Sequence, residues 1–304
     1  MTIDAPHRDK VTILLSTYNG GRFLREQLSS LYAQTHPTIK ILVRDDGSSD
    51  DTRAILDAEG LEQLESHENL GATGSFFALL RHAAQTDTEY VAFCDQDDVW
   101  QKNKIQRAVV ALTPLVDSPA LYCSRLKLVD EQLEPLERSL IPRKIGFGNA
   151  LVENIAVGCT MVLNRQAIDL LCQQRLPDEV YVHDWWCYLV MSCFGEIVFD
   201  DHAFIYYRQH DDNVIGAATS KLGVFKRKLA RLFNARLWIS EQAFIFHELF
   251  AERMPMTERE SLELLLNAKS SFYYRVRLAL SSEIWRQKKL DDMLLRLVVL
   301  LNKI

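Results

Sequence analysis

The stretch that decides the fold is residues 90–98, YVAFCDQDD, where five apolar residues run directly into a group of aspartates. An unbroken apolar run of this length is typical of a strand that is buried on both faces of a parallel sheet. Residues 11–15 (VTILL) and 39–43 (IKILV) have the same character, and a helical pattern follows each run. The sequence therefore predicts an α/β fold in which parallel strands are joined by crossover helices.

The remaining patterns are less regular and predict a mixed middle region and a helical end. Helices are indicated over 23–31, 75–84, 101–112, 165–173 and 182–193, and strands over 64–66, 121–123, 157–163, 196–199 and 204–207. From Leu222 onward only helical patterns are found. We therefore expect one α/β domain followed by a helical C-terminal region.

Polar clusters follow three of the predicted strands at the point where each strand ends. These clusters are 16–19 (STYN), 44–46 (RDD) and 95–98 (DQDD). Ligands of open α/β sheets bind in the crevice beyond the carboxyl ends of the strands. Because all three clusters lie at such ends, the sequence predicts that they face one crevice.

The acidic cluster of Asp95, Asp97 and Asp98 predicts a metal site. Carboxylates packed this tightly repel each other, so their ionised forms need a counter-cation, and hard oxygen ligands select Mg²⁺ or Mn²⁺. An ion held by one or two carboxylates typically also binds substrate phosphates. A solvated turn or helix cap is the alternative. An EF-hand is excluded, because Trp100 stands where its loop needs glycine.

The composition excludes several classes of protein. The 304 residues carry a net charge of −6, which argues against a nucleic-acid binder. None of the six cysteines forms a C-x-x-C pair, so a zinc ribbon is not expected, and we expect a reducing, cytoplasmic environment. The charge is uneven, because residues 221–304 contain 16 basic and 9 acidic side chains. Basic and apolar residues interleave over 221–237, which fits either an anionic membrane surface or a partner subunit.

These motifs together resemble the inverting family 2 glycosyltransferases of the GT-A fold. The resemblance rests on STYNG at 16–20, DDGSSD at 45–50, NLG at 69–71 and DQDD at 95–98, and it spans residues 11 to about 210. DQDDVW, together with YRQH at 207–210, is most similar to bacterial rhamnosyltransferases, which build cell-surface polysaccharide from dTDP-L-rhamnose.

The resemblance also implies the architecture and the domain limits. It implies a Rossmann-like, mostly parallel central sheet with helices on both faces over residues 1–215. The nucleotide half would cover about 1–115 and the acceptor half about 116–215, and a helical, basic region would occupy 216–304.

The resemblance implies a set of residues that bind the nucleotide sugar. Thr17, Tyr18 and Asn19 would line the base and ribose pocket. Asp45 or Asp46 would accept a hydrogen bond from N3–H of a pyrimidine. The other residues of this set would be Asp95, which approaches the ribose, and Asn69 and Gly71. Many family members carry an Arg-Asn pair shortly after Gly71, whereas this chain does not, so the contact to the diphosphate stays open, with Arg81 as one candidate.

The metal and the general base are implied in the same way. Asp97 would hold Mg²⁺ or Mn²⁺, and His210 would complete the metal shell, with Asp211 or Asp212 as competitors for that role.

Asp184 matches the aspartate that acts as general base at the start of a helix. Trp185 and Trp186 would stack on the acceptor or the transferred sugar. The alternative for this segment is an N-capping aspartate followed by core tryptophans.

The implied activity is the transfer of a sugar, most similar to L-rhamnose from dTDP-L-rhamnose, onto a saccharide or a lipid-linked saccharide. Two other functions stay open from the sequence: a sugar-phosphate nucleotidyltransferase and a non-catalytic sugar-nucleotide-binding protein. Contact with the inner face of the membrane through 221–237, and a homodimer, are further expectations.

Overall fold

The computed structural model describes residues 10–66, 68–173, 176–177, 180–210 and 238–303. The chain forms two compact units. Among the described residues, the first contains those up to 141, then 156–176 and 195–210, and the second contains 142–155, 177–194 and those from 238 onward. Two middle segments thus pack with the C-terminal helices, which a boundary near 215 does not anticipate. The basic stretch 221–237 lies outside the described residues.

The first unit is a mixed sheet with helices between its strands. Its strands are β1 Val11–Thr17, β2 Ile39–Asp45, β3 Glu62–Gln63, β4 Tyr90–Cys94, β5 Val99–Trp100, β6 Ala120–Val129, β7 Pro135–Arg138, β8 Val162–Asn164 and β9 Glu196–Arg208. Its helices are α1 Gly21–Tyr32, α2 Thr52–Glu59, α3 Gly71–Ala84, α4 Lys104–Leu112 and α6 Arg165–Gln173. The second unit is helical, with α5 Phe147–Ala150, α7 His183–Phe194, α8 at 238–250, α9 Met256–Ala268, α10 Phe272–Leu280 and α11 Lys289–Leu300.

The strand order is β3-β2-β1-β4-β8-β6-β9-β5, with β7 paired to β6. The nucleotide half is parallel from β3 to β4, as predicted, and β8 then runs antiparallel to β4 and β6. Strand β6 returns to parallel pairing with β9. All five residues of β4 are buried, as the unbroken apolar run predicts.

Several predicted elements have other limits. The strand expected over 64–66 lies at Glu62–Gln63, where it pairs with Leu42 and Val43 of β2. The strand expected over 157–163 begins only at Val162, because residues 158–160 form a 3₁₀ turn. The helix expected from Gln101 starts at Lys104, since Val99 and Trp100 pair with β9.

The two strands predicted over 196–199 and 204–207 are one strand, β9. The Asp200 carboxylate accepts a 2.7 Å hydrogen bond from Arg107 Nε, so the acidic residue stays within the strand.

Among the described residues, no helix combines the length and the apolar character that a membrane crossing needs. Helix α7 is instead buried on every side, with ten of its twelve residues enclosed. A helix that is apolar all round is a core helix. The rings of Phe246 and Phe250 pack against Trp186 of this helix at centroid distances of 5.8 and 6.2 Å.

Candidate active site

The carboxyl ends of β1, β2 and β4 meet at one edge of the sheet, because the three strands are parallel and adjacent. Thr17 is in register with Asp45 across β1 and β2. The turn after β1 is also tied to the loop after β4: the Tyr18 amide donates to Gln96 Oε1 at 2.8 Å, and Gln96 Nε2 donates to the Tyr18 carbonyl at 3.0 Å. The structure therefore brings the three polar clusters together.

The Asp45 carboxylate is the centre of the turn after β2. It is buried and accepts hydrogen bonds from Thr17 Oγ1 at 3.0 Å, from the Ser48 amide at 3.0 Å and from Arg53 Nε at 2.8 Å, as well as from the Ser48 hydroxyl. Burial alone would raise the pKa of Asp45, but the hydrogen bonds from Ser48, Arg53 and Thr17 outweigh it and lower the pKa. Asp45 is therefore an anion that holds the turn in shape.

Asp46 joins the end of β2 to the start of α3. Its carboxylate forms a buried ion pair with Arg44 and accepts a 2.8 Å hydrogen bond from the Leu70 amide. Asn69 Nδ2 donates to the Asp46 carbonyl at 2.8 Å, and Asn69 Oδ1 accepts from the Gly71 amide at 3.1 Å. Gly71 has a φ of +67°, a left-handed conformation that favours glycine. Asn69 and Gly71 therefore shape this loop, and their predicted contact with the donor stays a prediction.

In the turn after β1, Asn19 is held by the backbone and a hydrogen bond, whereas Tyr18 is exposed. Asn19 has a φ of +48°, and its side-chain oxygen accepts a 2.8 Å hydrogen bond from the Ser49 amide. The side chain of Tyr18 is 51% exposed. Thr17 is buried against Asp45, so Tyr18 is the member of this trio that can offer a ring face to a base.

The structure brings Asp97 and His210 together from distant parts of the first unit's sequence. Asp97 Oδ2 lies 2.9 Å from His210 Nε2, although 113 residues separate them. Both side chains are largely buried. Strand β9 makes this contact, because it ends at Arg208, two residues before the histidine, and pairs with β5, which begins two residues after the aspartate.

Arg208 holds this pair in place, a role that the sequence did not indicate. Its Nε donates to the Asp97 carbonyl at 2.8 Å and its amide donates to Asp98 Oδ1 at 3.1 Å. The guanidinium also binds Glu26 and the Glu131 carbonyl, and it lies 4.4 Å from the centroid of the Phe23 ring. The motif at 207–210 was visible in the sequence, but the partners of its arginine were not.

The pair of Asp97 and His210 fits a divalent ion. Two adjacent ligands of an octahedral ion, each about 2.1 Å from it, are about 3.0 Å apart, close to the separation in the structure. A set with one carboxylate and one imidazole suits Mn²⁺ better than Mg²⁺, which prefers oxygen ligands throughout. Asp211 and Asp212, the predicted competitors of His210, lie outside the described residues.

A second cluster of potential metal ligands lies nearby and is formed by Asp95, Asp98 and Cys159. One potential ligand atom of each residue lies within 4.8 Å of the others. Burial, followed by the charges of Asp97 and Asp95, raises the pKa of Asp98 well above its ordinary value. Burial likewise raises the pKa of the Cys159 thiol well above its ordinary value.

Lys104 is a buried cation that sequence patterns did not single out. It is 1% exposed, and its Nζ lies 3.4 Å from the centroid of the Trp100 ring. Burial lowers the pKa of Lys104 to about 8, against the smaller opposing effects of Cys94, Cys159 and Asp98. Its position on the inward face of α4, beside Ile105 and Ala108, was the available signal.

Asp184 lies in the first turn of α7 in the second unit. It is 8% exposed, and its Oδ1 accepts a 2.7 Å hydrogen bond from the Trp185 amide. Burial lowers the pKa of the neighbouring His183 to about 3, so this histidine is neutral at physiological pH. The predicted base therefore lies at a helix N-terminus, where the backbone N–H groups favour negative charge.

The placement of Trp185 and Trp186 does not support the stacking role predicted for them. Trp185 is 4% exposed and donates its indole N–H to the Ala150 carbonyl at 2.6 Å, and Trp186 is 1% exposed. Rings enclosed in a core present no face to a sugar. Arg81, the candidate for the diphosphate, lies ten residues beyond Gly71 in α3, about 15 Å along the axis. That position is remote from the edge where the polar clusters meet.

The sequence is similar to those of known glycosyltransferases. The chain is 26% identical to the dTDP-rhamnosyl transferase RfbG of Shigella flexneri, over 95% of this chain and 99% of that protein. A second relative is WfgD of Escherichia coli, a UDP-Glc:alpha-D-GlcNAc-diphosphoundecaprenol beta-1,3-glucosyltransferase. The two sequences are 28% identical, over 52% of this chain and 62% of the relative.

Solved structures share the fold. TarS 1–349 of S. aureus superposes with a TM-score of 0.57 at 17% identity, covering 97% of this chain and 80% of that one. The mannosyltransferase PcManGT of Pyrobaculum calidifontis, in complex with GDP-Man and Mn²⁺, gives a TM-score of 0.52 at 18% identity, covering 98% and 87%. The sequence model described as Glycosyl transferase family 2 matches residues 12–169, more than half of the chain. This protein, with its α/β GT-A fold, therefore belongs to glycosyl transferase family 2.

Proposed function

We propose that this glycosyltransferase is metal-dependent and inverting, and that it transfers L-rhamnose from dTDP-L-rhamnose to a growing cell-surface polysaccharide or lipid-linked oligosaccharide. The observation that carries the proposal is the 2.9 Å approach of Asp97 and His210 at the sheet edge that also holds Thr17 and Asp45. Nucleotide sugars present a base and a diphosphate. At this edge the exposed ring of Tyr18 would meet the base, and Asp97 with His210 would hold a cation beside the diphosphate. The likeness to RfbG supports the choice of rhamnose.

Different residues at this edge would bind different parts of the donor. Tyr18 and Asn19 would contact the base and ribose, and an oxygen of Asp45 or Asp46 would accept the pyrimidine N3–H. Asp97 and His210 would hold Mn²⁺ or Mg²⁺, and the bound ion would neutralise the charge that develops on the diphosphate leaving group. The Mn²⁺ in PcManGT, a protein of the same fold, supports this expectation.

Asp184 supplies the proton acceptor of the reaction. An acceptor hydroxyl oxygen attacks the anomeric carbon, the bond from that carbon to the diphosphate oxygen breaks, and Asp184 takes the hydroxyl proton. Attack from the face opposite the leaving group inverts the anomeric configuration. The buried carboxylate at the start of α7 supports this assignment.

Replacing Asp184 tests the proposed base. In Asp184→Asn we expect sugar transfer to fall by roughly 100-fold or more, because the amide cannot accept the proton, while donor affinity stays within twofold. The measurements are transfer rate and donor titration on the same preparation. Asp291→Asn is the matched control, since Asp291 is also an acidic residue in the first turn of a helix of this unit. A variant with normal turnover would refute the assignment.

The donor is tested by thermal shift with nucleotide sugars, each with and without Mn²⁺. We expect dTDP-L-rhamnose with Mn²⁺ to raise the melting temperature more than UDP- or GDP-sugars, since a ligand that binds only the folded state stabilises it. His210→Ala should remove the Mn²⁺ dependence. A larger shift with a UDP-sugar would overturn the rhamnose assignment and leave the transferase assignment intact.

A further inference from the structure

Helix α11 has two apolar faces, and only one of them is covered. Leu295, Val298 and Val299 are buried within the second unit. A second set is exposed, with Leu290 at 72% and Met293 at 66%. We name the exposed set the α11 stripe; its members are Leu290, Met293, Leu297, Leu300 and Leu301. At about 100° per residue, the stripe occupies an arc of about 100° on the side roughly opposite the buried set.

The neighbouring helix α10 is exposed in the same manner. Tyr273, Arg277 and Leu280 follow one another at i, i+4 and i+7, which places them on one face, and Leu280 is 80% exposed. Eight of the eighteen large apolar side chains that are exposed in the described part of the chain lie within residues 272–301. A concentration of this kind marks an interaction surface rather than ordinary scatter.

The charge around this surface is positive. Residues 272–303 contain seven Lys and Arg but only three Asp and Glu. One of the three acids, Asp292, is already engaged, since its carboxylate binds Arg296 Nε at 3.0 Å and the Arg286 amide at 2.9 Å. Lys288 and Lys289 are exposed at the start of α11. A partner with negative charge would therefore be attracted to this surface.

A second copy of the chain is a poor occupant. Leu290, Met293, Leu297 and Leu300 have the a and d spacing of a coiled coil, which would suit pairing with another α11. However, the flanking g positions are Lys289, Arg296 and Lys303, and the e positions are Leu294 and Leu301. In an antiparallel pair the g positions of the two helices would bring like charges together. In a parallel pair they would face the leucines at e, with no acidic partner. A helix of 12 residues also supplies fewer than two heptads.

We propose that the exposed faces of α10 and α11 seat this protein on an anionic lipid surface, with α11 lying in the interfacial plane. An apolar stripe flanked by Lys and Arg is the pattern of a helix that lies on a membrane, and α11 is too short to cross one. The proposal is independent of the donor and of the base, because it concerns neither Asp97 nor Asp184. A protein that fails its test could still transfer sugar to a water-soluble acceptor.

Vesicle flotation with the full chain tests this surface. We expect binding to vesicles of phosphatidylcholine mixed with phosphatidylglycerol, weaker binding to phosphatidylcholine alone, and loss of binding as salt rises. Met293→Ser with Leu297→Ser should lower the partition roughly tenfold or more, because two apolar side chains leave the interface. Lys288→Gln with Lys289→Gln should lower it roughly fivefold per lysine.

Val110→Ser is the matched control, since Val110 is an apolar residue of α4 that is 58% exposed, similar to Leu297 at 53%. It should bind vesicles like the parent. Melting temperatures within a few degrees of the parent, and unchanged sedimentation, show that the stripe variants remain folded.

Three outcomes would overturn the proposal. In the first, the stripe variants bind vesicles as well as the parent does, whereas replacing Lys226, Arg227 and Lys228 by Gln abolishes vesicle binding. In the second, sedimentation shows that the parent is a dimer and the stripe variants are monomers, while vesicle binding is the same in both. The third is no binding to either vesicle.

Discussion

Arg208 shows how one residue sets the geometry of the candidate metal site without touching the metal. Its guanidinium donates a hydrogen bond to the carbonyl of Asp97. Two residues later, His210 contacts the carboxylate of the same aspartate. It is almost fully buried, so its five N–H groups must find partners, and they find Glu26, Glu131 and Asp97. The arginine therefore couples the acidic loop to α1 and to the turn after β6.

Replacing Arg208 should weaken metal binding. In Arg208→Gln we expect the Mn²⁺ affinity to fall roughly tenfold or more, and Arg208→Lys should not restore it, because an ammonium lacks the planar fork. Electron paramagnetic resonance of free Mn²⁺ measures this without any sugar transfer. Arg22→Gln is the control, since Arg22 also binds Glu131 and lies 4.7 Å from the same Phe23 ring. An unchanged affinity in a folded Arg208→Gln variant would contradict the role.

At the scale of elements, the buried pair of Arg44 and Asp46 fastens the end of β2 to the start of α3. Removing one partner of such a pair strands a charge in the interior. We expect Arg44→Met to lower the free energy of unfolding by about 3–5 kcal/mol, and the double variant Arg44→Met, Asp46→Asn to recover most of that loss. Urea denaturation measures both.

The pair of Lys40 and Glu62 joins β2 to β3 at the surface and is the natural comparison. Their side chains are 52% and 44% exposed, with a 2.6 Å separation. Lys40→Met should cost less than about 1 kcal/mol, because solvent screens an exposed pair. Equal losses in Lys40→Met and Arg44→Met would show that the buried pair does not have the role described.

Elements were predictable where local signals agree. Helix α6 was predicted at its observed limits, and β4 was predicted from its apolar run. The limits of β9 were not, because Asp200 is held in the strand by Arg107 from α4, a contact that no local pattern of residues reveals.

At the scale of the whole molecule, protonation of His183 should contribute to the loss of stability at low pH. Burial holds its pKa near 3 in the folded protein, whereas an unfolded histidine titrates near 6.5. The unfolded chain therefore binds a proton first as the pH falls, and the folded state loses about 1.4 kcal/mol of stability per pH unit between about 6.5 and 3 from this residue.

Comparison with a variant isolates this contribution from the other acid-sensitive groups. His183→Gln should show a shallower loss of stability than the parent over that pH range, as measured by urea denaturation at several pH values. His82→Gln serves as the control, because the His82 side chain is 38% exposed. Parallel pH profiles for the parent and His183→Gln would contradict the prediction.

The family assignment also decides between the functions that the sequence left open. These functions were a sugar-phosphate nucleotidyltransferase and a non-catalytic sugar-nucleotide-binding protein. Membership of glycosyl transferase family 2 supports sugar transfer.

The sequence by itself determined where the parallel strands lie and that polar clusters end three of them. It could do so because a buried strand is an unbroken apolar run and its closing turn is adjacent in the chain. Only the tertiary structure decided that His210 meets Asp97, that Arg208 braces the aspartate, and that Trp186 belongs to a core. Such contacts join residues far apart in the chain, and burial depends on which faces pack, so neither is written in a local pattern.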